Sequence, residues 1–286
     1  MNIFNKLFGV SDKKHIYDEV EKTSDSAEIR VSVSSHNGKI RDNNEDNYFV
    51  NGIIRDIDEN IVDFQKTLST RNVLLEVCDG MGGESCGELA AKIATECSTE
   101  LLNKLQITSA NNISCIVNQY VNMANDKICH MLNNNESSRG GSTFAMVYIR
   151  DGIVFPFSLG DSRIYVYSDD KLEQISVDHT LAMRKYKANI YTWEEAQKSA
   201  DSHKLTLFLG VDVDNKGLNA EKYCPFEFTK NKKILVCSDG LYDMCGNEEI
   251  IKILAEESKD YSQALVNMAL QNGGIDNITC LVAEII

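Results

Sequence analysis

Acidic residues recur beside glycines and asparagines wherever an apolar run begins or ends. Asn44-Glu45-Asp46-Asn47 leads into the run DNYFV. Asp79-Gly80-Met81-Gly82-Gly83 follows VLLEVC, and Gly160-Asp161-Ser162-Arg163 lies between two apolar runs. Ser238-Asp239-Gly240 follows KILVC, and Gly274-Ile275-Asp276-Asn277 enters NITCLVAEI. A single Asp-Gly after a strand marks a turn. The repetition is what matters, because each acid stands where a strand leaves the core and several can converge at one end of a sandwich. Glycine lets the backbone approach a ligand closely. Gathered carboxylates repel, by on the order of 4 kcal/mol for two charges about 4 Å apart at an effective dielectric of 20. Such a cluster requires protons or metal. Read as an oxygen-only donor set without His or Cys, it selects hard cations, Mg²⁺ or Mn²⁺. Two such ions roughly 3.5–4 Å apart can clamp a phosphoryl group and acidify a water between them. The expected chemistry is phosphate ester hydrolysis without a protein nucleophile.

The elements that must carry these acids follow from periodicity. Val31 and Val33 alternate with serines, and DNYFV follows, so two short strands are expected. Residues 51 to 72 are polar and charged and read as an exposed loop, with room for a partner site. VLLEVC is a continuous apolar run and so a buried strand. Leu89, Ala90, Ile93, Ala94, Cys97, Leu101, Leu102 and Leu105 then share one face of a long helix. Ile113, Ile116, Val117, Tyr120, Ala124, Ile128 and Met131 repeat that pattern in a second helix. STFAMVYI, GIVFPFSL and RIYVYS read as strands, the first two joined by the hairpin signal Asp151-Gly152. A mixed polar stretch with a helix around WEEAQKSA separates them from PFEFT and KILVC. Helices near 247–258 and 261–271 and a last strand close the chain. Strands, two helices, strands, two helices and a strand are not a βαβα alternation. The expected fold is α+β, with antiparallel sheets and helices packed outside them.

Composition excludes several classes. The 286 residues include 29 Lys or Arg against 43 Asp or Glu, a net charge of −14. That balance opposes a nucleic-acid partner, which needs a basic surface. No apolar stretch approaches the length of a membrane span, and the first residues lack a secretory apolar core. Nine cysteines without a CxxC pair fit neither a disulfide framework nor a zinc site, and point to a reducing cytoplasm. MNIFNKLFGV places Ile3, Phe4, Leu7 and Phe8 at helical spacing ahead of a polar stretch. Residues 1–28 are therefore read as a tail or short docking segment, and 29–286 as one domain.

The ordered motifs RDNNEDN, DGMGG, GSTF, GDSR, DHT, SDGL and GGIDNIT span residues 41 to 279. Together they closely resemble the metal-dependent serine/threonine protein phosphatases (protein phosphatase type 2C), in particular bacterial members. The resemblance covers roughly residues 30 to 286. It implies two antiparallel sheets in a central sandwich flanked by helix pairs, a four-layer αββα arrangement. It implies two tightly bound Mn²⁺ or Mg²⁺ ions and a weaker third. Asp79 would bridge the pair, Asp239 and Asp276 would complete one shell, and Glu45 with the Gly80 carbonyl would serve the other. Asp46 would orient the attacking water. Asp161, with Asp239, would hold the third ion. Arg41 stands where the family places its phosphate-binding arginine, and a guanidinium suits phosphate through two parallel hydrogen bonds. Residues 181–222 correspond to the variable flap, where substrate preference is expected. The implied partners are phosphorylated proteins, and a bacterial kinase of the eukaryotic type or its substrates.

Two departures stand out. Animal members carry a His after the first Gly of the DG motif, where this chain has Met81, which cannot donate a proton. The stretch 51–72 is also longer than the tight hairpin expected there. His179 is expected to support the start of the flap, Arg163 to anchor the Asp161 turn, Asn277 to fix the loop of Asp276, and Trp193 to pack within the flap. A non-catalytic metal-binding regulator on the same fold is the alternative, but no metal acid is missing. A two-metal nuclease is opposed by the net charge.

Overall fold

The computed structural model describes residues 28–69, 71–82, 86–134, 139–212, 217–258 and 260–286. The tail expected over residues 1–28 lies outside these, apart from Glu28, which opens the first strand. Alternating side chains build two sheets. The first contains β1 (Glu28–His36), β4 (Ile61–Ser69), β10 (Arg163–Ser168), β11 (Lys171–Gln174), β14 (Lys233–Cys237) and β15 (Ile278–Ile285). Its order is β11-β10-β14-β15-β1-β4, and every pairing is antiparallel. The second contains β2 (Asn47–Val50), β3 (Ile53–Ile54), β5 (Asn72–Cys78), β8 (Phe144–Arg150), β9 (Ile153–Leu159) and β12 (Glu221–Lys222). Its order is β12-β9-β8-β5-β2-β3, with β13 (Phe226–Glu227) also pairing β9. A small ribbon joins β6 (Gly80–Gly82) to β7 (Gly140–Ser142).

Strand period decides the layers. Val73, Leu75 and Val77 of β5 meet Ile29, Val31 and Val33 of β1 and Ile234 and Val236 of β14 in the core between the sheets. The intervening Leu74 and Cys78 face outward, against α1 (Cys86–Ile107) and α2 (Ile113–Asn134). On the far side, Leu235, Cys237, Cys280 and Val282 pack on later helices, through Ile250, Leu254, Leu265 and Ala269. Each fully buried aliphatic side chain contributes roughly 1.5–3 kcal/mol, so three apolar layers hold four structural layers together. The αββα sandwich expected from the motifs is the observed fold. The serines of β1 have a use too. Ser32 lies on the helix-facing side of its strand, and its hydroxyl accepts from the Ser262 amide at 3.2 Å.

The remaining helices are α3 (Leu181–Lys187) and α4 (Trp193–Lys198) in the flap, then α5 (Asp239–Tyr242), α6 (Asn247–Ala255) and α7 (Tyr261–Gln271). The α4 helix begins with a reciprocal capping box between Thr192 and Glu195, which satisfies two amides left free at a helix start. The hairpin at Asp151-Gly152 is confirmed, both residues having positive φ (50° and 79°) between paired Arg150 and Ile153. Residues 51–72 are not an exposed loop. They hold β3 and the nine-residue β4, which pairs with β1 along its whole length, from Glu28 opposite Ser69 to His36 opposite Ile61. Val62, Phe64 and Leu68 turn toward the core between the sheets, while Asp63, Gln65 and Lys66 face solvent. Charges on an edge strand discourage pairing with other chains, and those same charges hid the strand's period.

Candidate active site

The acids sit where strands of both sheets run out at one end of the sandwich. Asp79 leaves β5 and is fixed from both sides by Thr143. Its amide donates to Thr143 Oγ1 and its carbonyl accepts from the Thr143 amide, each at 2.9 Å. Gly80 follows, and a Cβ there would lie 2.2 Å from the Gly87 carbonyl and 2.5 Å from that of Glu45. Only glycine permits this contact, which brings the Glu45 loop, the DG turn and the start of α1 together. The Glu45 carboxylate lies over Gly87. Glu45 also meets the far loop, because its amide donates to Asn277 Oδ1 at 2.8 Å. Asn277 Nδ2 then donates to the carbonyls of Asn37 and Asn43. Asn277 therefore locks two acid-bearing loops to each other, more than the single loop expected of it.

Asp46 is fully enclosed. Its Oδ2 accepts from Ser238 Oγ at 2.7 Å, while its Oδ1 is buried with no hydrogen-bond partner among the described residues. Burial raises its pKa to about 7, Ser238 and Thr279 opposing and the charges of Asp239 and Asp276 adding to the rise. Burial likewise pushes Asp79 well above the carboxylate range, helped by the charges of Asp239, Asp46, Asp161 and Asp276. Asp239 rises to about 6 through burial and the nearby Asp243 and Asp276. Asp161 also rises, through burial and then Asp239. These mutual influences show that the structure brings Asp46, Asp79, Asp161, Asp239 and Asp276 into one neighbourhood. Glu45 stands at its edge, its pKa raised by burial and lowered by Arg41. Arg41 reaches across to Asp276 Oδ2 at 2.8 Å, with about half of its own side chain exposed.

The expectation that no His lies near the acids needs correction. Among the described residues, the group whose donor atoms all fall within 4.8 Å of one another is His203, Asp239 and Asp243. His203 comes from a short turn of the flap, and its Nδ1 stands 3.7 Å from Asp243 Oδ2. Neither residue was legible as a site residue. Asp243 lies one helical turn after Asp239 in SDGLYD, a spacing that puts both on one face. His203 is far away in sequence and arrives only because the flap folds back.

The flap is tied at both ends. His179 Nδ1 accepts from the Gly160 amide at 3.0 Å, its Nε2 pairs with Glu221 at 2.8 Å, and its amide donates to the Gly160 carbonyl. It supports the flap start, as expected. Arg163 anchors the Asp161 turn indirectly. It makes a forked pair with Asp178 and lies 3.5 Å over the Tyr242 ring, whose hydroxyl donates to the Asp161 carbonyl. Trp193 packs edge-on against Tyr186 and is 45% exposed. At the exit, three asparagines on one face of α2 act as peptide mimics. Asn125 accepts from the Gly210 amide and donates to the Val211 carbonyl, Asn122 does both for Leu218, and Asn118 accepts from the Ala220 amide. Leu209 in turn pairs with Ser142, which pairs with Gly80.

The chain is similar to known proteins along most of its length. The family described as Protein phosphatase 2C matches residues 63–276. The protein phosphatase PhpP of Streptococcus pneumoniae is 28% identical over 256 residues, covering 88% of this chain and 95% of that protein. The serine/threonine protein phosphatase PstP of Mycobacterium tuberculosis is 26% identical, covering 90% of this chain and 45% of PstP. The crystal structure of the serine/threonine phosphatase Stp1 from Staphylococcus aureus superposes with a TM-score of 0.73 at 26% identity, covering 90% of this chain and 94% of Stp1. With the motifs in order, the sandwich in place and the acids gathered at its end, the chain belongs to the protein phosphatase 2C family.

Proposed function

We propose that this chain hydrolyses phosphoserine and phosphothreonine on proteins, with divalent Mn²⁺ or Mg²⁺ held by its acid cluster. The observation that carries the reading is Asp46 Oδ1, a buried carboxylate oxygen without a partner among the described residues, set among acids whose pKa values are raised by burial and by one another's charge. A buried acceptor without a partner costs about 1–3 kcal/mol, more when charged. A hard cation and its waters are the natural complement to such a donor set. Asp79, Asp239, Asp276, Glu45 and the Gly80 carbonyl would hold a pair. A weaker third ion would fall to Asp161 and Asp239, with His203 and Asp243 within reach of Asp239. When bound, the ions supply charge neutralisation on the phosphoryl oxygens and an acidified water.

The chain's own groups do the rest. Arg41, half exposed at the mouth, trades Asp276 for phosphate oxygens, a forked contact that fixes the ester in line. Asp46 Oδ1 is the free acceptor that orients the attacking water. Met81 donates nothing, so the proton for the departing Ser or Thr oxygen arrives from solvent or another group. Phosphoproteins are the substrates, and a bacterial kinase of the eukaryotic type, or its targets, is the fitting partner. The names of the serine/threonine phosphatases above support that choice. Cys78, Cys237 and Cys280 are buried thiols outside any disulfide, which suits a cytoplasmic setting. No helix among the described residues is long and apolar enough to cross a membrane.

The test is turnover of a phosphothreonine peptide, and of nucleic acid, with Mn²⁺ and with excess EDTA. Peptide hydrolysis is expected with Mn²⁺ alone, and EDTA should abolish it. Undiminished hydrolysis in EDTA, or activity only on nucleic acid, would overturn the reading.

A further inference from the structure

Arg55 has no exposed surface, although it lies in the charged stretch just after β3, past the two-residue turn Asn51-Gly52 that joins β2 to β3. Its guanidinium donates to five backbone carbonyls. Nη2 reaches Asn44 at 2.6 Å and Nε reaches Asp46 at 2.8 Å, on either side of Glu45. Nη1 reaches the carbonyls of Glu59, Asp56 and Ile57, closing the segment around the guanidinium itself. The backbone is locked as well, since the Arg55 amide donates to Asn47 Oδ1 and its carbonyl accepts from Asn47 Nδ2. On the far side, Nη2 faces Glu88 Oε1 at 3.6 Å, in the first turn of α1 and next to the Gly87 that underlies the Glu45 carboxylate. Asn60 adds a second strut. Its Oδ1 accepts from the Asn44 amide, and its carbonyl from Asn44 Nδ2.

Taking a guanidinium wholly out of water costs several kcal/mol before its partners compensate. An apolar side chain would fill the space without that cost, so packing alone does not account for Arg55. What the planar fork does, and an apolar group cannot, is hold two carbonyls two residues apart in fixed relation, with the residue between them aimed at the cluster. We propose that Arg55 is a positioning residue: through the carbonyls of Asn44 and Asp46 it sets the backbone of Glu45, and so the affinity of the site for its divalent cation. The inference rests on the metal-dependent reading above. It gives the long segment after β2 a role within the active site, as a brace beneath one of its walls.

The experiment titrates Mn²⁺ into the full chain by calorimetry, comparing wild type with Arg55→Lys and Asn60→Ala. Lysine keeps the charge but loses the planar fork. Outer groups that orient ligands typically change metal affinity 10- to 100-fold. Arg55→Lys should weaken the Mn²⁺ dissociation constant by about that much. Asn60→Ala removes one strut and should weaken it roughly 2- to 10-fold. In both variants the Mn²⁺ concentration for half activity should rise while kcat at saturating Mn²⁺ stays near wild type, a split that general loosening of the fold does not produce. If Arg55→Lys fails to fold, Asn60→Ala, whose site is exposed, decides the matter by the same readout. A wild type that binds no Mn²⁺ would overturn the proposed function together with this inference. Wild-type binding with both variants unchanged would overturn the inference alone.

Discussion

Asp46 and Asp201 are the same amino acid, both buried, in opposite electrical surroundings. Asp201, at the foot of the flap, accepts from Lys185, from Lys204 at 2.8 Å and from the Tyr191 hydroxyl at 3.1 Å. Hydrogen bonds from Lys185 and Lys204 hold its pKa well below the carboxylate range. Asp46, in the floor of the site, has no cation bonded to its carboxylate, and burial raises its pKa to about 7. The flap pairs Asp201 with its own lysines. The floor instead gathers acids whose pKa values burial raises. That difference separates an acid already paired within the fold from one that a bound cation would relieve, because unpaired buried acids are a cost that a bound cation removes.

The largest effect that should sharpen this contrast is on stability against pH. A carboxyl whose folded pKa lies above its unfolded value makes the folded state bind more protons. Its favourable contribution is then fully present below about pH 4 and is lost as pH rises through about 7. For Asp46, the shift from 3.8 to about 7 corresponds to at most about 4 kcal/mol. Metal-free wild type should therefore lose stability relative to Asp46→Asn between pH 4 and 7, and added Mn²⁺ should restore it. Parallel melting curves for the two proteins across that range would remove Asp46 from the unpaired set.

Arg41→Ala tests the guanidinium at the mouth of the floor. A charge-assisted contact to phosphate is worth about 1.5–3 kcal/mol, so kcat/KM should fall roughly 10- to 150-fold while Mn²⁺ binding persists. Calorimetry showing lost Mn²⁺ binding would mean that Arg41 serves the ligands through Asp276 rather than the substrate. Asn125→Ala tests how the flap is joined to the rest. It removes the Asn125 partner of the Gly210 amide, at about 1–3 kcal/mol if that amide stays dry, and leaves the Val211 carbonyl to the weaker Cys129 thiol. Hydrogen exchange should quicken around residues 209–211 with the sandwich core unchanged. Unaltered exchange there would show that the Leu209–Ser142 pairing suffices.

The smallest effect should come from Asp201→Asn. A carboxylate with a depressed pKa contributes stability above about pH 4, lost as pH falls further. The substitution should loosen exchange in residues 181–205 at neutral pH and leave Mn²⁺ affinity untouched. A change in Mn²⁺ affinity would show that the Asp201 cluster and the acid floor are coupled.

Much of this protein was written in local pattern. The acids at strand ends, the glycines beside them and the two-residue alternation of β5, β8 and β14 are short-range features, and the sandwich follows from them. The same is true of α1 and α2, whose apolar faces repeat at helical period. The strand β4 was missed although Val62, Phe64 and Leu68 alternate, because an edge strand buries one face only and its charges dominate the composition. Asn118, Asn122 and Asn125 share a helix face, but a polar stripe becomes a clamp only when a backbone lies against it. Arg55 reads as a surface arginine until the carbonyls of Asn44, Asp46 and Glu59 close around it. His203 reaches Asp239 and Asp243 only through the return of the flap. The sequence by itself determined which residues could do the chemistry and which elements would carry them, since residue type and period are local. Tertiary structure alone decided which polar groups meet across long separations and which are left without a partner, since burial and pairing are properties of the assembled fold.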